Sequence, residues 1–164
     1  MNLLQMKLDV ENRPYRLVNE SISGDTSSGG LARIDKILSK YQPEVLILEL
    51  GANDGLRGLH PNQMKKNLGQ IIERSQKSDA DVLLLSMRIP PNYGIRYTEM
   101  FYNVYPQLAQ EYQITLIPFV MKSFALDNDF MQHDGLHPNE KAQPIIAETV
   151  WEYLQPILET EKTP

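Results

Sequence analysis

The protein has 164 residues, of which 41% are hydrophobic and 23% charged, a composition that suits one folded domain and not a disordered chain. Sixteen basic and 21 acidic residues give a net charge of −5, so the chain lacks the positive field that attracts nucleic acids or anionic membranes. It contains no cysteine, which excludes disulfides, thiol nucleophiles and thiolate metal sites. No apolar run approaches the roughly 20 residues of a membrane span. We therefore expect a single domain over residues 1–164, with no nucleic-acid partner and no stable membrane insertion.

Short apolar runs alternate along the chain with stretches of helical period. The predicted elements, in chain order, are a helix over 3–8, a strand over 15–19, a helix over 31–41, a strand over 44–50, a helix over 64–72, a strand over 81–89, a helix over 97–108, a strand over 114–119, a helix over 146–157 and a frayed tail over 159–164. Because the strands are apolar on both faces, this order indicates an α/β fold with a parallel sheet between two layers of helices.

Four polar segments follow the four predicted strands: residues 21–26, 51–55, 88–94 and 127–138. In open parallel sheets, ligands bind beyond the carboxyl ends of the strands. The pattern therefore predicts that these loops gather along one rim and form a site there.

The segment Asp134-Gly135-Leu136-His137-Pro138 places a carboxylate three residues before an imidazole. Such a carboxylate can accept the Nδ1–H of His137 and leave its Nε2 as a base. Two other interpretations stay open. Asp134 can simply cap the next helix beside a solvated His137, or His133, Asp134 and His137 can bind zinc or iron.

Two further residues are candidates for stabilising negative charge during a reaction. Asn53 follows a predicted strand and can aim its side-chain NH₂ into a site, and Gly24 can offer a backbone N–H beside it. Taken singly, each residue also fits an ordinary tight turn. Three such motifs, in order on one rim, favour a catalytic site.

Together, SISGDTS at 21–27, GANDGLRG at 51–58 and DGLHPN at 134–139 resemble the later sequence blocks of the SGNH (GDSL) hydrolases. The resemblance extends over nearly the whole chain, and within that superfamily it points to the multifunctional thioesterase, protease and lysophospholipase type of Gram-negative bacteria. It implies a flavodoxin-like three-layer α/β/α fold. It also implies hydrolysis of small-molecule carboxylic esters and thioesters through a Ser-His-Asp triad, without a cofactor.

The resemblance also assigns roles to residues. His137 would be the general base, Asp134 its orienting carboxylate, and Gly24 and Asn53 the oxyanion donors. A loop over residues 55–60 would cover the acyl chain. The residues expected to bind substrate at this loop are Asp54, Gly55, Leu56 and Arg57.

The first block of the family, Gly-Asp-Ser-Leu, carries the nucleophile, and no Gly-Asp-Ser sequence occurs in this chain. We expect the first strand and its serine to lie upstream of Met1, and the chain as it stands to be inactive. Ser21, Ser23 and Ser27 are poor substitutes because they belong to the block that supplies Gly24. A non-catalytic remnant that binds acyl or lipid ligands is the alternative.

The resemblance further implies a periplasmic location, through a signal peptide lost with the same segment. A chain that truly begins at Met1 would stay in the cytoplasm, because MNLLQMKLDVEN has neither a basic start nor an unbroken apolar run. A complete chain is expected to be a monomer.

Overall fold

The computed structural model describes residues 2–159, which contain six α-helices and three β-strands. The helices are α1 (Asn2–Val10), α2 (Ser27–Tyr41), α3 (Ala52–Leu56), α4 (Pro61–Gln76), α5 (Ile95–Tyr112) and α6 (Gln143–Glu159). The strands are β1 (Val45–Leu48), β2 (Asp81–Leu85) and β3 (Thr115–Ile117). Short 3-10 helices cover Pro91–Tyr93 and Glu140–Ala142.

The chain divides into two compact units. Residues 22–119 form one of them, which we call the sheet unit because it holds all three strands. Residues up to 21, together with residues from 120 onward, form the other, which we call the terminal unit. The single domain expected over residues 1–164 stays a prediction.

The sheet unit is built on a parallel sheet of strand order β1-β2-β3. Leu84 of the central strand lies in register with Leu48 on one side and Leu116 on the other. Four of the five residues of β2 are buried, as a strand covered on both faces requires. The predicted strands over 44–50, 81–89 and 114–119 are thus confirmed, each somewhat shorter than predicted.

Three helices of the sheet unit form its core with the sheet. Each helix presents apolar side chains at helical spacing. Most of the apolar residues whose spacing predicted these helices are buried in this core. The core residues of α2, α4 and α5 are Ile34, Leu38, Met64, Leu68, Ile71, Ile72, Phe101, Val104, Tyr105 and Leu108. Because α3 begins shortly after β1 ends, this core fixes the segment that carries Asn53 at the carboxyl end of a strand.

In the terminal unit, α1 packs against α6, and the ammonium of Lys7 lies 2.6 Å from the carboxylate of Glu148 and over the ring of Trp151. A small cluster built on Phe124, Met131 and Ala142 orders the turns that precede α6. The helices predicted over 3–8 and 146–157 are confirmed.

The strand predicted over residues 15–19 is wrong, because this segment has no regular secondary structure and pairs with no strand of the described chain. The side chain of Gln5 takes the place of a neighbouring strand. Its Oε1 accepts from the N–H of Leu17 at 2.9 Å, and its Nε2 donates to the carbonyl of Tyr15 at 3.1 Å. Of the predicted frayed tail, Glu159 ends α6, and residues 160–164 lie outside the described residues. No helix within residues 2–159 is long and apolar enough to cross a membrane.

Candidate active site

The turn that carries Gly24 lies against α3. Gly24 has a φ of +77°, a left-handed conformation that glycine adopts without steric cost. The carbonyl of Asp25 accepts from Asn53 Nδ2 at 3.0 Å, and the carbonyl of Gly24 accepts from Arg57 at 2.9 Å. The structure therefore brings together two of the predicted site residues, Gly24 and Asn53, within the sheet unit.

Residues 51–55 were predicted to be a loop, and that prediction is wrong in part. After the turn at Gly51, the chain enters the five-residue helix α3, so Asn53 stands on a helix. Gly51 has a φ of +111°, and the Tyr105 hydroxyl donates to the neighbouring Leu50 carbonyl at 3.0 Å. A Cβ at position 51 would lie 2.6 Å from the Tyr105 hydroxyl oxygen, so only glycine fits. Burial, together with the charge of Asp54, raises the pKa of Tyr105 well above its usual value, so this donor stays protonated.

Asp54 is 2% exposed and is held by Ser27, the first residue of α2. Its Oδ2 accepts from the Ser27 N–H at 2.7 Å, and its Oδ1 accepts from the Ser27 hydroxyl at 2.5 Å. Asn67 donates to the same hydroxyl at 2.9 Å and accepts from Gln63 at 2.9 Å. The sequence of α4 indicates one member of this network, because Asn67 is a polar residue on the apolar face formed by Met64, Leu68 and Ile71. Nothing in the sequence paired Ser27 with Asp54.

The four residues expected to bind substrate differ in accessibility. Asp54 and Gly55 are buried, Leu56 is half-buried, and Arg57 is exposed. Their role in substrate binding stays a prediction.

Two tyrosines hold the segment that follows Asp54. The Tyr93 hydroxyl donates to the Leu56 carbonyl at 2.8 Å, and the Tyr97 hydroxyl donates to the Leu59 carbonyl at 2.7 Å. The two rings stack with centroids 6.3 Å apart. Burial, with a smaller contribution from Asp54, raises the pKa of Tyr97 above its ordinary value. Tyr93 belongs to the predicted rim segment 88–94, whereas Tyr97 was predicted only as the start of the helix over 97–108.

In the terminal unit, the turn over residues 134–137 joins the predicted carboxylate and imidazole. Asp134 Oδ2 lies 2.7 Å from His137 Nδ1, and Oδ1 accepts from the backbone N–H groups of Leu136 and His137 at 2.9 and 3.0 Å. The His137 N–H, the imidazole and the Leu136 N–H together hold the pKa of Asp134 far below its usual value. A carboxylate that stays ionised here fixes the imidazole orientation, with Nε2 as its second nitrogen.

His133, the third residue of the metal interpretation, is exposed in the same segment. Within residues 2–159, no group of three or more His, Cys, Asp or Glu side chains is arranged to hold a metal ion. The metal interpretation therefore finds no ligand set in the described chain.

Comparison with known proteins gives the family. Residues 1–144 match the model of the GDSL-like Lipase/Acylhydrolase family. This chain belongs to that family. The chain is 46% identical to Esterase TesA of Pseudomonas aeruginosa over 156 residues, which cover 95% of this chain and 78% of that protein.

It is also 47% identical to Thioesterase 1/protease 1/lysophospholipase L1 of Escherichia coli over 142 residues, which cover 87% of this chain and 68% of that protein. Among solved structures, it matches a crystal structure of TesA with a TM-score of 0.92 and 45% identity, covering 95% of this chain and 87% of that one. The matches confirm the predicted resemblance to the SGNH hydrolases and the three-layer α/β/α fold.

Proposed function

We propose that this protein hydrolyses small-molecule carboxylic esters and thioesters, with His137 as the general base. The observation that carries the proposal is the 2.7 Å contact between Asp134 Oδ2 and His137 Nδ1, formed within a block typical of the family. Its relatives bear the names esterase and thioesterase, which supports the two substrate classes.

The proposed reaction follows the chemistry of a serine triad. His137 Nε2 takes the proton of a serine hydroxyl as its oxygen attacks the carbonyl carbon, and Asp134 stabilises the imidazolium that forms. The imidazolium then returns the proton to the leaving alcohol or thiol, and an acyl-enzyme remains. Water, activated in the same way, releases the carboxylic acid and frees the serine.

The negative charge that develops on the substrate oxygen needs hydrogen-bond donors. We assign this role to the side-chain NH₂ of Asn53 and the N–H of Gly24. In the described chain the Gly24 N–H has no protein acceptor, so it is available to an oxyanion. The loop that starts at Gly55, with Leu56 and Arg57, is proposed to contact the acyl group.

We further propose that the nucleophilic serine precedes Met1, so that residues 1–164 alone do not turn over substrate. No Gly-Asp-Ser sequence occurs among them. Ser27, in the block that supplies Gly24, is fully buried and donates its hydroxyl to Asp54. By the same resemblance, the protein with its upstream segment is proposed to act in the periplasm.

The test compares the 164-residue chain with a chain extended upstream by the residues that its gene encodes before Met1. Hydrolysis of p-nitrophenyl butyrate and butyryl-CoA is measured for both. We expect activity from the extended chain only, lowered by roughly 10⁴-fold or more in kcat in His137→Ala. His133→Ala is the matched control, because it removes an exposed imidazole from the same segment, and it should retain activity.

Equal losses in the two histidine variants, or loss of activity with a chelator, would contradict the proposal. Binding of acyl esters without turnover by the extended chain would favour the non-catalytic alternative.

A further inference from the structure

We propose that Asp54 and Ser27 are positioning residues that fix the spacing of the two oxyanion donors, a proposal that rests on the function proposed above. Asp54 follows Asn53 directly, and Ser27 lies three residues after Gly24. A bond between Asp54 and Ser27 therefore joins the segment of one donor to the segment of the other.

The hydrogen bonds between Asp54 and Ser27 fix the position of one residue relative to the other. The carboxylate of Asp54 takes both polar hydrogens of Ser27, from the backbone N–H and from the hydroxyl, so the two residues are held at two points. Ser27 is 0% exposed and Asp54 2% exposed, so water does not compete for these hydrogen bonds. Charged acceptors make shorter and stronger hydrogen bonds than neutral ones, and a dry site strengthens them further.

The carboxylate also supplies the cap that α2 otherwise lacks. Within the described residues, the side chain of the N-cap residue, Thr26, accepts no hydrogen bond from the helix. Asp54 instead accepts from the first N–H of this 15-residue helix, where a negative charge is also favoured by the helix dipole. The start of α2, and with it the turn at Gly24, is thus joined to α3 through Asp54, in addition to the local contacts of Asp25 with the Thr26 N–H and with Arg33 of α2.

Asn67 completes the arrangement from a third element. It donates to the Ser27 hydroxyl oxygen at 2.9 Å while that hydroxyl donates to Asp54, so the direction of the hydroxyl is fixed. A second, partly buried link lies closer to the donors, where Asn53 donates to the Asp25 carbonyl. Both links join the same two segments, and the one made by Asp54 is the more deeply buried.

This assignment gives Asp54 a role different from substrate contact. Burial and full engagement by Ser27 leave its carboxylate directed into the protein, whereas Leu56 and Arg57 remain accessible. Displacement of a catalytic donor by about 1 Å can lower a rate by roughly 100-fold, so loss of the anchor should appear in kcat and not in KM.

The variants are Ser27→Ala, which removes the hydroxyl and its hydrogen bonds to Asp54 and Asn67 without adding bulk, and Ser27→Thr, which keeps the hydroxyl. Ser75→Ala is the matched control. Ser75 is also 0% exposed, and its hydroxyl also makes a buried hydrogen bond, at 2.8 Å to the Ile71 carbonyl. Ser75→Ala should therefore remove a buried hydroxyl without changing the donors.

In the extended chain, we expect Ser27→Ala to lower kcat for p-nitrophenyl butyrate by roughly 10- to 100-fold with KM within about twofold. Ser27→Thr should recover most of that loss, and Ser75→Ala should keep the original kcat. An unchanged kcat in Ser27→Ala, or an equal loss in Ser75→Ala, would overturn the proposal.

A second measurement needs no catalysis and uses the 164-residue chain. In ¹H–¹⁵N spectra, Ser27→Ala should shift the Gly24 amide and the Asn53 side-chain amide, and Ser75→Ala should leave both in place. If the extended chain proves inactive, the proposed function fails and these spectra still decide the positioning role. Unmoved Gly24 and Asn53 resonances in Ser27→Ala would refute it.

Discussion

Two aspartates, one in each unit, show opposite ways of holding a carboxylate. Asp134 is exposed, and its three donors lie within three residues along the chain. Asp54 is buried, and its donors come from Ser27, which is 27 residues away. The first carboxylate is held by a turn, whereas the second depends on the packing of α2, α3 and α4.

This difference explains why the partner of Asp134, and not that of Asp54, could be predicted from sequence. A local turn is determined by neighbouring residues, so the spacing of Asp134 and His137 predicts their contact. A long-range bond depends on tertiary structure, so nothing beside Asp54 revealed that its partner is Ser27. The contrast also predicts different energetic roles, because an exposed turn contributes little to stability and a buried polar network contributes much.

The largest expected effect comes from removing the buried carboxylate. Asp54→Ala leaves the N–H and hydroxyl of Ser27 buried without an acceptor, and we expect a loss of roughly 3 kcal/mol in the free energy of unfolding. Urea denaturation of the 164-residue chain, followed by circular dichroism, measures this loss.

Asp134→Ala is the comparison. Because Asp134 and its donors face solvent, the urea midpoint should fall far less than in Asp54→Ala while the imidazole loses its partner. A loss of stability in Asp134→Ala as large as that in Asp54→Ala would remove the distinction between the two carboxylates.

A glycine beside each aspartate tests the same contrast through the backbone. Gly51→Ala introduces a Cβ 2.6 Å from the Tyr105 hydroxyl oxygen and 2.8 Å from the Met64 sulfur, at a φ of +111°. We expect a loss of about 2–3 kcal/mol from strain and displaced packing. Thermal unfolding of Gly51→Ala measures this loss of stability.

Gly135→Ala also meets a positive φ, of +64°, but no described heavy atom lies within 4 Å of the new Cβ. Here only the left-handed conformation is costly, by about 1 kcal/mol. If both substitutions lowered stability equally, close packing around Gly51 would not be the cause.

The smallest effect is a titration that leaves the fold intact. An ordinary aspartate is half protonated near pH 4, but the lowered pKa of Asp134 keeps it ionised there. Since the folded pKa lies below the unfolded one, the stabilisation from this group is present above about pH 4 and is lost only as the pH falls further. Carbon-detected NMR of the Asp134 carboxyl should show no protonation of the carboxylate between pH 8 and pH 4.

His137→Ala refines this result, because it removes the imidazole and keeps the backbone N–H, which is the largest cause of the lowered pKa. The pKa of Asp134 should rise only part of the way to its usual value. If the pKa of Asp134 returned fully to its usual value, the imidazole alone would be the cause of the lowered pKa.

Much of the sheet unit could be predicted because its elements carry their own patterns. Apolar spacing predicted α2, α4 and α5, and the apolar runs predicted β1, β2 and β3. The wrong predictions concern segments whose backbone N–H and C=O groups make hydrogen bonds with a side chain from a distant part of the chain. Gln5 occupies the polar groups of the segment predicted as a strand, and the turn after β1 becomes helix α3 instead of a loop.

The candidate site divides in the same way. Asp134 and His137 were predicted from spacing, and Gly24 and Asn53 from turn chemistry and from the family resemblance. The residues that hold the segments of Gly24 and Asn53, namely Ser27, Asn67 and Tyr105, come from three different helices. Their contacts depend on how those helices pack, which local sequence does not encode.

The most direct test of the proposed hydrolase is covalent labelling with a fluorophosphonate, followed by peptide mapping. The 164-residue chain and the upstream-extended chain are treated in parallel, each with and without His137→Ala. We expect one adduct, on a serine upstream of Met1 in the extended chain, formed far more slowly in His137→Ala. An adduct on Ser21, Ser23 or Ser27 of the 164-residue chain, or no adduct on either chain, would contradict the proposed triad.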